Sequence, residues 1–116
     1  MNDPCIELTE MLAHIPTYTS WAAVDLEKIF LRYSEIITEM MESRGYKDYK
    51  WLAAYCPDLK KRIQEMLLEQ HTDRQSRHFN NIAFELLCAI EVLTGKLKCK
   101  SPDKWKVIMA NRPQAA

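Results

Sequence analysis

A chain of 116 residues, 47% hydrophobic and 28% charged, has the size of one domain and enough apolar side chains to bury a core without disulfides. Its 16 Lys and Arg balance 16 Asp and Glu, which excludes a chain that coats nucleic acid indiscriminately. Two glycines, Gly45 and Gly95, are too few for a Gly-rich phosphate loop or a dinucleotide fingerprint.

Helix punctuation is clear along the whole chain. Asp3-Pro4 supplies an N-cap and an N1 proline, and Leu8, Met11, Leu12 and Ile15 recur at i, i+3, i+4, i+7 before Pro16. This spacing predicts a short helix over about residues 4–14. Thr17, Thr19 and Ser20 form a capping linker. After it, Ala22, Leu26, Ile29, Tyr33, Ile36 and Met40 keep a 4-3 spacing, widened by Phe30, Ile37 and Met41, up to Gly45. A long core-facing helix over about 20–44 is expected. Its seam resembles a heptad, so residues 22–41 could also face a second copy of the chain. Asp25, Lys28, Arg32, Glu35, Glu39 and Glu42 occupy its polar side.

Asp48 is placed to cap a short helix containing Leu52 to Tyr55. Pro57 disfavours the α region for Cys56, so a turn is expected there, with Pro57 opening the next helix and Leu59, Ile63, Met66 and Leu67 buried along it to about His71. Thr72-Asp73-Arg74-Gln75 matches a capping box and starts a second long helix, over about 73–94. Only Glu85 and Glu91 interrupt its apolar run from Ile82 to Leu93, so this is the expected central helix, stopped by Gly95. Ser101-Pro102-Asp103 launches a last short helix with Trp105, Ile108 and Met109. No stretch alternates with period two. The expected fold is an all-α bundle of five to six helices without β-sheet, one domain over 1–112 with a flexible tail at 113–116.

Charge is unevenly distributed behind the neutral total. Residues 1–45 hold eight acids and three bases, residues 46–95 seven of each, and residues 96–116 six bases and one acid. Either the acidic face of the first long helix packs against the basic C-terminal segment, or each end is a field for a ligand. Two helix starts are also basic, Lys60-Lys61-Arg62 and Arg74, Arg77, His78, where the macrodipole favours acids. His71, Arg74 and His78 share a helical face. These bases could bind phosphate or a partner carboxylate, or pair at home with Glu35, Glu39 and Glu42.

Familiar chemistry is missing from the spacings. His71 and His78 are not the i, i+4 pair of a helical zinc site, no Glu-x-x-His occurs, and Cys5, Cys56, Cys88 and Cys99 contain no CxxC pair. Scattered cysteines read as reduced thiols, and the acid in Met1-Asn2-Asp3-Pro4 is unlike a signal peptide, so a cytoplasmic location is expected. No apolar run approaches the ~20 residues of a membrane span. No metal, cofactor or catalytic residue is expected, and the chain reads as non-enzymatic.

Two kinds of partner remain. The favoured one is a protein, with the chain acting as a regulator, adaptor, inhibitor or assembly subunit. Expected contacts are the aromatics Tyr46, Tyr49, Trp51 and Trp105, the basic helix starts Lys60, Lys61, Arg74, Arg77 and His78, and the C-terminal Lys98, Lys100 and Lys104. The alternative is DNA. Residues 48–68 have the outline of a helix-turn-helix with Lys60, Lys61 and Gln64 in recognition positions, although Pro57 stands where the turn usually takes Gly.

Overall fold

The computed structural model describes residues 6–10, 23–44 and 50–111. Residues 6–10 are helical. Among the described residues five further helices follow: α1 (Ala23–Arg44), α2 (Lys50–Ala54), α3 (Cys56–Leu68), α4 (Thr72–Thr94) and α5 (Pro102–Ala110). No strand occurs among the described residues, so the fold is the expected all-α bundle. Tyr46, Asp48, Tyr49, Gly45, Thr17 to Ser20 and the tail 113–116 lie outside the described residues, as do Met11 to Pro16. A radius of gyration of 14.0 Å is close to the ~13 Å of a compact chain of this length.

The core forms where the two long helices present their apolar sides. From α1 it takes Leu26, Ile29, Phe30, Tyr33, Ile36, Ile37 and Met40, all buried, with Leu8 from residues 6–10 beside them. The described seam residues Leu26, Ile29, Tyr33, Ile36 and Met40 are therefore buried in the chain's own core. Central α4 buries Ile82, Ala83, Leu86, Cys88, Ala89, Ile90, Val92 and Leu93. It packs most extensively on α3, whose Leu59, Ile63 and Met66 face it. Burying each such side chain contributes roughly 1.5–3 kcal/mol against the entropy of ordering the chain. Tyr33 is fully buried, and its hydroxyl forms no hydrogen bond to a described residue.

Four local expectations need correction. The turn expected at Cys56 is one residue earlier: α3 begins at Cys56, and Tyr55 alone, itself right-handed (φ −82°, ψ −13°), separates it from α2. Proline at the second helical position lacks an N–H that would be unsatisfied there anyway, so the helix can start ahead of it. Second, α3 stops at Leu68, short of His71, because Glu69 is extended; Leu67, expected in the core, is 42% exposed beyond the Leu59-Ile63-Met66 stripe. Third, the capping box does not form. Helix α4 begins at Thr72, which puts His71 at the N-cap, and the Gln75 amide donates to the Met66 carbonyl oxygen at 3.2 Å, tying α4 to the end of α3. Fourth, Glu85 does not merely interrupt an apolar run. It is a buried carboxylate, and Arg62 reaches it from α3 at 2.6 Å.

Candidate partner-binding site

The end of α4 shapes the site. Gly95 takes the left-handed conformation (φ 85°) that glycine adopts without strain, and its N–H donates to the Val92 carbonyl oxygen. The Leu97 N–H returns to the Glu91 carbonyl oxygen at 3.1 Å, and the Thr94 hydroxyl donates to that of Ile90 at 3.0 Å. These bonds satisfy the last carbonyls of α4 and turn the chain across its end. Residues 98–100 then run without helix or turn, with Lys98 and Lys100 exposed and Cys99 between them buried. The Cys99 thiol donates to the Ser101 carbonyl oxygen at 3.5 Å.

Helix α5 anchors the far side. Ser101 caps it as expected, its hydroxyl accepting from the Lys104 N–H at 3.2 Å, with Pro102 in the first turn. One turn on, Trp105 enters the core, its ring 5.6 Å from that of Trp51 on α2. Trp51 is half-buried and meets Tyr55 edge-on at 6.3 Å. The segment 95–104 is thus fixed at one end by the glycine cap and at the other by the tryptophan pair.

Between these anchors lies a solvent-open cavity of about 660 Å³. Val92, Leu97 and Cys99 give it an apolar floor, while Lys98, Lys100 and Lys104 surround it. Among the described residues no acidic side chain lines it. None of the five lysines from Lys96 to Lys106 forms an ion pair among the described residues. The acidic face of α1 therefore does not neutralise them there. Glu35 pairs instead with Arg32 on its own helix at 2.8 Å, and Arg32 also forks onto Glu7 at 2.5 Å.

The other expected contacts are dispersed. Lys60 and Lys61 are exposed at the start of α3, and Arg74, Arg77 and His78 on the first turns of α4. Lys60, Lys61, Arg74 and Arg77 make no ion pair among the described residues, so the home pairing expected for them is not formed. His78 joins Arg62, Glu65 and Asn81 around a separate pocket of about 190 Å³ between α3 and α4. Trp105 is only 3% exposed and belongs to the core, and Tyr46 and Tyr49 lie outside the described residues.

Sequence spacing did not bring Val92 to the lysines, because that juxtaposition depends on the reversal at Gly95. Nor did it pair Arg62 with Glu85, 23 residues away. A carboxylate within the apolar stretch 82–93, which only Glu85 and Glu91 interrupt, was the available signal that some cation must meet it. The thiols are chemically quiet: burial pushes Cys88 up to about 12, the charges of Glu91 and Glu85 adding to it, and burial raises Cys56 against an opposing hydrogen bond from Ser34. Cys56, Cys88 and Cys99 are free thiols. Among the described residues no three His, Cys, Asp or Glu gather as a metal site, and no helix is long and apolar enough to cross a membrane. Compared with protein-family models, curated proteins and solved structures, the chain finds no match.

Proposed function

We propose that this is a non-enzymatic cytoplasmic binding protein, a regulator, adaptor, inhibitor or assembly subunit, that holds an acidic protein partner through its lysine-rich segment 96–106. The observation that carries it is the convergence of Lys98, Lys100 and Lys104 on one cavity, none of them in an ion pair among the described residues. Unneutralised lysines beside an apolar floor favour an external anion and steer its approach. The free thiols of Cys56, Cys88 and Cys99 suit a reducing compartment.

Affinity capture from nuclease-treated lysate of the source cell tests it, comparing the native chain with K98E/K100E/K104E. The native chain should retain one protein that the variant loses. Equal retention by both would remove the lysine segment as the contact. For the DNA alternative, exposed Lys60 and Lys61 suit phosphate contact, but the single residue between α2 and α3 is shorter than the usual three- to four-residue turn.

A further inference from the structure

We infer that the cavity behind Gly95 takes an extended acidic peptide segment of the partner, with one aliphatic side chain seated on Val92 and Leu97 between carboxylates held by Lys98, Lys100 and Lys104. This rests on the acidic-partner function proposed above and specifies its ligand.

Three observations carry it. First, the floor and rim differ in chemistry: Val92, Leu97 and Cys99 are apolar, and the charged residues among the described lining are Lys98, Lys100 and Lys104. A ligand made only of charge, such as inorganic phosphate, leaves that floor wet, whereas an aliphatic side chain flanked by carboxylates covers both. Second, all the cations of segment 96–106 are lysines. An ammonium is a point charge on a flexible stem and lacks the planar fork that arginine offers to phosphate, so the set suits carboxylates spread along a chain. Third, residues 98–100 lie outside helix and turn, and none of them makes a backbone–backbone hydrogen bond among the described residues. An extended peptide lying beside them gains main-chain hydrogen bonds as well as the lysine contacts, as in strand addition to a free edge.

The cavity of about 660 Å³ falls within the ~300–1,000 Å³ typical of binding pockets. Nucleic acid fits it less well, since phosphates have no use for the aliphatic floor and the chain carries no net positive charge.

Fluorescence anisotropy with labelled Glu-Glu-Leu-Glu-Glu tests the proposal on the full chain. The native protein should bind it, and K98E/K100E/K104E should bind at least about tenfold more weakly. The remote control K60E/K61E should stay within about twofold, which separates local contact from net charge. Replacing the peptide leucine by serine should cost about fivefold. Equal binding of the leucine and serine peptides would overturn the aliphatic seat while leaving an acidic partner in place. No binding of either peptide, or binding unchanged by K98E/K100E/K104E, would overturn both. Displacement by duplex DNA at lower concentration than by unlabelled peptide would assign the cavity to nucleic acid and overturn the proposal.

Discussion

Arg62 on α3 and Glu85 on α4 meet at 2.6 Å, with the Glu85 side chain 10% exposed and Arg62 30% exposed. The pair joins the two most extensively packed helices, and Asp58 touches the same guanidinium at 3.5 Å. A buried carboxylate is tolerated because its partner is fixed at hydrogen-bond distance.

Removing one member should therefore cost more than removing both. Arg62→Ala leaves the Glu85 carboxylate buried without its cation and should destabilise by about 2–4 kcal/mol, whereas R62M/E85L should fall within about 1 kcal/mol of the native chain. Urea denaturation of the double-mutant cycle measures this. Additive single losses would mean that the pair is not coupled.

Acid should release the link between residues 6–10 and α1. The hydrogen bonds from Arg32 hold the Glu7 carboxyl below its ordinary value, its slight burial opposes this, and the Arg32 charge assists. A lowered folded pKa means that the unfolded chain takes up the proton first. The contribution is thus present above the ordinary carboxylate range and is lost as pH falls through the lowered folded value. Both side chains are about 40% exposed, so solvent screening limits the effect to about 0.5–1 kcal/mol. In acid titrations followed by circular dichroism, Glu7→Gln should flatten this part of the stability profile.

Base should act on Cys88 and Tyr33 with the opposite sign. Cys88 ionises near 9.0 in the unfolded chain and at about 12 when folded. Tyr33 is raised well above 10.0 by burial, with the charges of Cys56 and Glu85 adding to it. Raised values favour folding below the unfolded pKa, so stability should be full below pH 9.0 and fall as pH rises toward 12. Tyr33→Phe deletes a hydroxyl without a described partner. It should cost less than about 1 kcal/mol at neutral pH and delay alkaline unfolding. A larger neutral-pH loss would reveal a bond made by that hydroxyl.

Gly95→Ala isolates backbone strain, because a Cβ there would meet nothing within 4 Å. The left-handed φ of 85° should cost about 1–2 kcal/mol in thermal or urea unfolding. The variant should also weaken Glu-Glu-Leu-Glu-Glu binding, since this residue sets the path of the lysine segment.

Helix starts and stops were legible where a single residue dictates the backbone: Gly95 stops α4 by its φ, and Ser101-Pro102 opens α5 by cap and ring geometry. Apolar spacing likewise located the α1 seam from Leu26 to Met40. What escaped depended on distant partners. The apparent capping box at Thr72 had a competitor in Met66, whose carbonyl oxygen takes the Gln75 amide. The two basic helix starts and Lys98, Lys100 and Lys104 looked equivalent as charge patterns. Only the turn after α4 places the second group over an apolar floor, and Trp105 is withdrawn from the surface by packing into the core, where its ring meets Trp51.

Backbone amide shifts of ¹⁵N-labelled protein, followed during titration with Glu-Glu-Leu-Glu-Glu, locate the contact directly. The largest changes should fall on Gly95 through Lys106, with α3 from Lys60 to Gln64 and the first turns of α4 unmoved. Changes centred on Lys60, Lys61, Arg74 or Arg77 instead, with segment 95–106 still, would contradict the lysine segment as the site where this protein holds its partner.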